Sequence, residues 1–319
     1  MSILNKAEAG EAITYQEAKE LYAECDIGDL FQAARGIAGE EVTFYKNAFP
    51  PISITGTRCQ LNCRHCSGHY LKHMIPAANE DRLIEICKSL NEKGVPGIVL
   101  SGGSRADGVV PLDDFAGAIK RIKEETDLAL IAHTGPVNKR QAEILGRAGL
   151  DGVLTDIVGS ASTSEKVFGI RITPEKYAET LRAIEKSGIP NISPHIIVGL
   201  DFGKIVGEIK ALELLSNSHL SNIAIVVLIP TEGTPMGDIS PPSPIEVGKI
   251  ISIAQLMYPE VPVALGCVRP GKIYRGAIDE FALKAGARKL ALPSTNARKT
   301  AKNLGLKVRE FEQMCCAWM

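Results

Sequence analysis

From residue 51 onward, short apolar runs alternate with amphipathic segments of helical period for roughly 240 residues, and this alternation limits the fold more than any other feature of the chain. The runs at 52–55, 97–101, 129–132, 152–155, 192–198, 223–228, 262–265 and 290–292 read as eight strands. Helices are expected at 80–93, 113–125, 137–148, 173–187, 204–216, 243–257 and 275–286. Two of these carry start signals. Thr173 precedes Pro174, and Ser243 precedes Pro244 with Glu246 at the third helical position, so a capping hydroxyl stands before a first-turn proline. Eight strands separated by helices predict an α/β fold, a (β/α)8 TIM-type barrel. A doubly wound open sheet competes, because periodicity counts strands and says nothing of closure. Residues 11–38 read as helical, which predicts three parts: an N-terminal helical extension (1–50), the barrel (51–295) and a C-terminal tail (296–319) that ends Met314-Cys315-Cys316-Ala317-Trp318-Met319.

Composition removes several function classes. No stretch nears the length of about 18 apolar residues that a membrane span needs, so no membrane partner is expected. With 36 Lys plus Arg against 37 Asp plus Glu there is no global basic field for a nucleic-acid backbone. The first ten residues lack a basic region followed by an apolar run, so a cytoplasmic address is expected. Eight cysteines among 319 residues are too sparse for a disulfide scaffold. Three of them nevertheless crowd the loop after the first predicted strand, Cys59-Gln60-Leu61-Asn62-Cys63-Arg64-His65-Cys66.

Three thiolates on one short loop can converge on metal, whereas zinc sites and ferredoxin clusters ordinarily take four protein ligands. A zinc knuckle that borrows His65 or His69 is one reading of this CxxxCxxC spacing, and a [4Fe-4S] cluster with one iron left open is the other. On these residues the chain resembles the radical S-adenosylmethionine (SAM) enzymes, which carry CxxxCxxC after strand one of a βα barrel. The resemblance implies a [4Fe-4S] cluster on Cys59, Cys63 and Cys66 whose open iron binds S-adenosylmethionine. Reductive cleavage of the sulfonium then yields a 5′-deoxyadenosyl radical that abstracts hydrogen. It also implies cosubstrate contacts at Gly102 and Gly103 after strand two, Asp156 after strand four and Gly199 after strand five. His65 would stand where the family has an aromatic residue against adenine.

The N-terminal helices, Gly233-Thr234-Pro235, Leu265-Gly266-Cys267-Val268-Arg269 and Ala285-Gly286-Ala287 together resemble the biotin-synthase-like branch. Biotin synthase holds an auxiliary cluster on interior strand cysteines and an arginine. The matching positions here are Ile131-Ala132-His133, Ser193 and Ala264 or Leu265, so that ligand set is absent. Among the other cysteines Cys87 reads as core, while Cys25, Cys267, Cys315 and Cys316 are candidates for a second iron–sulfur cluster; inert thiols are the alternative. A second cluster in such a barrel is similar to sulfur-inserting enzymes, most of all to a subunit of the two-component lipoyl synthases. That likeness implies an octanoylated carrier protein as substrate, a second radical SAM subunit, and a low-potential electron donor such as ferredoxin. Two other readings stand beside it. One is a small-molecule radical enzyme of the hydrogenase-maturase or methylornithine-synthase type, with His133, His195, Arg269 and Arg298 as candidate mouth residues; the other is a non-catalytic electron-transfer or carrier protein.

Overall fold

The computed structural model describes residues 2–216 and 218–318. Three helices open the chain, α1 (Ile3–Glu8), α2 (Tyr15–Glu24) and α3 (Ile27–Ala38). There follow β1 (Glu41–Asn47), β2 (Pro51–Ser53), β3 (Ile75–Pro76), α4 (Glu80–Glu92), β4 (Gly97–Ser101), α5 (Ala116–Glu125), β5 (Ala129–His133), α6 (Lys139–Arg147) and β6 (Gly152–Asp156). The remainder is α7 (Ala161–Phe168), α8 (Pro174–Lys186), β7 (Asn191–Val198), α9 (Glu208–Glu213), β8 (Ile223–Val227), α10 (Pro244–Met257), β9 (Val263–Leu265), α11 (Lys272–Lys284), β10 (Lys289–Ala291), α12 (Thr295–Asn303) and β11 (Lys307–Gln313). All eight predicted strands are present, and the two capping signals cap α8 and α10 as expected. Among the described residues no helix is long and apolar enough to cross a membrane.

The strands form one parallel sheet in the order β11-β1-β10-β9-β8-β7-β6-β5-β4-β2-β3. It is a TIM-type partial barrel. Its eight central members are the predicted ones, but β1 pairs with β10 while β2 pairs with β4. Residues 41–53 therefore reach both ends of the series through chain continuity across Ala48-Phe49-Pro50, where proline withholds a ladder donor. The expected extension of 1–50 is thus helical only as far as Ala38. Val42 and Phe44 join the outer core and Tyr45 the inner one, which is strand periodicity within a segment read as part of a helical preface. The tail of 296–319 is likewise structured: α12 and β11 occupy most of it, and β11 lies parallel to β1. The helix expected over 204–216 shrinks to α9, and α7 lies in the loop after β6.

Alternation sorts the strand side chains into two sets. Leu130 and Ala132 of β5, Val153 of β6 and Ile192 and Ile196 of β7 face the helices in the main core. Ile131 and Leu154, of opposite parity, pack in a separate cluster inside the barrel. Small residues at other inward positions, Ser193, Ala224, Ala264 and Ala291, leave that interior roomy. The opening helices close the outside, with α3 packed on α10 and the Phe31 ring set edge-on to Phe281 at 6.1 Å.

Candidate active site

The three motif cysteines sit on the loop that leaves the carboxyl end of β2. Neighbouring loops pin it on both sides. Gln60 N–H donates to the Ser104 carbonyl at 2.9 Å, Ala106 N–H donates to Gln60 Oε1 at 2.8 Å, and Arg64 N–H donates to the Val167 carbonyl at 2.7 Å. Past Cys66 the left-handed pair Ser67 (φ 44°) and Gly68 (φ 75°) turns the chain into a short 3₁₀ helix, His69–His73. Cys59, Cys63 and Cys66 line a cavity of about 240 Å³, together with Gly102, Gly103, His133 and Asp156. Ser104 N–H donates to Cys59 Sγ at 3.3 Å. Burial first, and the neighbouring thiols second, push Cys63 up to about 12; burial raises Cys66 as well. Such thiols are protonated at neutral pH until a cation binds among them.

The surroundings fit a three-thiolate cluster with an adenosyl cosubstrate. His65 is half-buried against Phe168 (5.7 Å, edge-on) and Tyr70 (6.3 Å), and its solvent-shielded Nδ1 has no hydrogen-bond partner among the described residues. Burial lowers its pKa to about 4, so the ring is neutral and its orphaned nitrogen can meet a heterocycle edge. Gly103 donates its N–H to Thr55 Oγ1 at 2.7 Å, and a Cβ there would run into the Arg58 carbonyl and Cys59. Only glycine allows the two loops to approach so closely. Cys59, Cys63 and Cys66 are the residues that would hold a [4Fe-4S] cluster, which with S-adenosylmethionine would supply one-electron cleavage of the sulfonium. The chain's own part is to hold that pair in a partly dry, aromatic-walled mouth.

Below the mouth the lumen changes character. His133 of β5 and His195 of β7 meet with ring centroids 4.9 Å apart and planes tilted by 55°, and Asp156 of β6 is the register partner of His195. Burial lowers both imidazole pKa values, that of His195 to about 3, and raises that of Asp156, although His133 favours the carboxylate. The Ser193 carbonyl can only accept, so His195 Nδ1 donates to it at 3.1 Å and Nε2 is left with a lone pair.

Deeper still, the C-terminal tail fills the barrel. Met314 N–H donates to the Asn47 carbonyl at 2.9 Å, and the chain then turns inward. Cys316 packs on Tyr45, Ala264 and Ala291, and Ala317 packs on Phe49, Ile131 and Leu154. Cys315 and Cys316 are coupled neighbours, the charge of one opposing ionisation of the other, and both thiols lie within electrostatic reach of Cys267 after β9.

The structure puts Cys315 and Cys316 within electrostatic reach of Cys267, although the three make no metal-binding group among the described residues, and it leaves Cys25 apart from them. That thiol caps α2 outside the barrel, near Asp26, Asp29 and Lys249. Gly199 is apart from the cysteine cavity: it turns the chain after β7 at φ 82°, donates to Glu208 Oε1 at 2.8 Å and packs under Pro242. Arg269 and Arg298 are not mouth residues. Arg269 is fully buried on Asp279 (2.9 Å) and the carbonyls of Gly266 and Ala291, while Arg298 pairs with Glu310 on the outer face. Sequence reasoning missed Tyr70, Phe168 and Tyr177 in the cavity wall, and the one available signal was their rarity in a chain only 5% aromatic.

Comparison with known proteins agrees with this geometry. The family model described as the Radical SAM superfamily matches residues 53–203. The chain is 28% identical over 267 residues to a biotin synthase of Neorickettsia sennetsu, covering 80% of this chain and 79% of that one. It is 27% identical over 274 residues to a biotin synthase of Marinobacter nauticus, covering 80% and 73%. In fold it is similar to HydG, a maturase of the [FeFe]-hydrogenase, with TM-score 0.71, 15% identity and coverage of 96% of this chain and 74% of that one. It is also similar to methylornithine synthase, with TM-score 0.67, 17% identity and coverage of 97% of both chains. The cysteine loop, its aromatic wall and the partial barrel agree with the radical SAM match over residues 53–203, and the identity to biotin synthases supports the biotin-synthase-like branch of that superfamily.

Proposed function

We propose that this radical SAM enzyme inserts sulfur into unactivated C–H bonds of a protein-bound octanoyl chain, as one subunit of a two-component lipoyl synthase. One observation supports the reading: the tail packs Cys316 within the inner cluster of Tyr45, Ala264 and Ala291, and Cys315 and Cys316 lie within electrostatic reach of the exposed Cys267 after β9. Those three thiols would have to draw closer to act as a second, soft-ligand set, and an iron–sulfur cluster held there would be the sulfur-bearing co-substrate. Adjacent cysteines can rarely both ligate one cluster, so Cys267 with one of the pair is the working set. Its position suits attack on a carbon chain threaded down the lumen, past residues that burial keeps away from water. The octanoylated carrier, the second radical SAM subunit and a cytoplasmic setting belong to this proposal. The homologous biotin synthases support the coarser idea of a sulfur-handling branch.

The test is anaerobic reconstitution of wild type and of a C315A/C316A variant, with iron and sulfide counting, Mössbauer spectroscopy and an assay on an octanoylated carrier with its partner subunit. The expected result is that the variant loses one cluster's worth of iron and all sulfur insertion, yet still cleaves S-adenosylmethionine. Equal iron content in the two proteins would sink the sulfur-donor reading.

A specific observation favours a second reading, small-molecule rearrangement. The His133–Asp156–His195 group presents lone pairs and a carboxylate inside the lumen, chemistry that suits a hydrogen-bond-donating head group better than a hydrocarbon. Rearrangement of an added amino acid without any carrier protein would support it.

A further inference from the structure

The short 3₁₀ helix behind the cysteine loop serves the cavity with only some of its residues. Gly68, Tyr70, Leu71 and Met74 line the cysteine cavity, whereas His73 is exposed and His69 half-exposed. In a 3₁₀ helix residues three apart eclipse, so Lys72 is the position stacked over His69, and His73 falls a third of a turn away. The two imidazoles converge all the same. Their ring centroids are 5.0 Å apart with planes tilted by 55°, and Nε2 of His69 stands 3.2 Å from Nε2 of His73. The backbone ties this pair to the motif, because His69 N–H donates to the Cys66 carbonyl at 2.7 Å.

The separation of the two nitrogens is that of a chelate. Ligand nitrogens that each lie about 2.0–2.1 Å from one ion, at an angle between square and tetrahedral, are about 2.9–3.4 Å from each other. A hydrogen bond from one Nε2–H to the other ring also spans 3.2 Å, but at an exposed position it gains little over bonds to water, and so gives no reason for the rings to meet against the helical period. The donor set selects the ion. No acidic residue occurs between Glu41 and Glu80, so that stretch offers no carboxylate to a hard cation, and imidazole by itself suits zinc, nickel or copper. Among the described residues no third His, Cys, Asp or Glu completes the group, so a bound ion keeps its other positions for water or an external ligand. Lys72 is exposed, and solvent screens its repulsion of the ion.

We propose that His69 and His73 form a two-histidine site for a borderline divalent transition-metal ion, separate from the motif thiols, and that the ion stiffens the turn behind Cys66 by joining its first residue to its last. The site needs neither the cluster nor the cosubstrate, and it stands apart from the choice of substrate.

The experiment is calorimetric titration of the anaerobically reconstituted protein with Ni²⁺ as the probe. Wild type is compared with H73Q, H69Q/H73Q and C315A/C316A, the last removing the tail thiols as competing ligands. One site per chain is expected in wild type, and it should survive in C315A/C316A. H73Q should weaken it about a hundredfold, because the second imidazole acts as an intramolecular ligand. H69Q/H73Q should abolish it, and both histidine variants should keep the wild-type iron content. Hydrogen exchange on wild type needs no variant: with Ni²⁺ the amides of residues 69–74 should exchange several-fold more slowly. Equal affinity in wild type and H73Q would overturn the proposal. So would a halved number of sites at unchanged affinity, the mark of two independent surface histidines that bind adventitiously. Loss of the site in C315A/C316A alone would assign the metal to the tail thiols, and unchanged exchange in the turn would remove the stiffening.

Discussion

The molecule holds two groups of three thiols, built in opposite ways. Cys59, Cys63 and Cys66 lie within eight residues on a single loop, and hydrogen bonds from Gln60, Ala106 and Arg64 tie that loop to its neighbours. Cys267 and Cys315 are 48 positions apart, and the Cys315–Cys316 pair comes within electrostatic reach of Cys267 because β11 pairs with β1 and delivers the tail into a lumen left open by small side chains. A site made by local spacing survives distant perturbation, whereas one made by tertiary docking depends on every element that holds the tail in place.

The largest expected effect tests the local group. A C59A/C63A/C66A variant should lose S-adenosylmethionine cleavage to below detection while keeping its fold, because these thiols ligate and carry no packing load. Residual iron in its Mössbauer spectrum would locate a second cluster elsewhere; no residual iron would collapse the comparison to one site.

The docked group should be sensitive to its scaffold. Replacing Arg269 by Met leaves Asp279 buried without its cation beside Cys267, and the carbonyls of Gly266 and Ala291 lose their donor. A loss of about 3–5 kcal/mol in denaturant unfolding is expected. Limited proteolysis should cut the tail of R269M before the cysteine loop; equal cleavage of both would show that the two sites are not mechanically separable.

Acid should act between the two groups. His195 titrates normally in the unfolded chain, at about 6.5, and at about 3 when folded, because burial opposes its charge. Its contribution is fully present above pH 6.5 and declines as pH falls, since the unfolded state then binds the extra proton. The slope is about 1.4 kcal/mol per pH unit from this one group. Melting of the apo-protein from pH 7 to 4.5 should show that slope, and H195F should flatten it.

The smallest effect concerns a thiol outside both groups. C25S is expected to leave iron content unchanged and stability within about 0.5 kcal/mol. Loss of iron would draw Cys25 back into the second set and imply movement of α2.

Much of this was legible beforehand, for identifiable reasons. The eight core strands followed from apolar period, and α8 and α10 from capping chemistry, because both are local. The strand at 41–47 was missed because its alternation adjoins three true helices, and β11 because exposed Lys307, Arg309, Glu310 and Glu312 give it no apolar period at all. The cysteine loop was readable because ligand spacing is itself a sequence property. Gly199 resembled a cosubstrate contact, yet its glycine is explained by a left-handed turn under Pro242.

The sequence by itself determined that this chain folds as a βα barrel and carries a three-cysteine radical SAM loop, since strand period, caps and ligand spacing all act over a few residues. Only the tertiary structure decided which distant side chains share the lumen. That depends on the parity of each inward-facing strand, on the volume Ser193, Ala264 and Ala291 leave vacant, and on a terminal strand whose pairing partner lies more than 260 residues away.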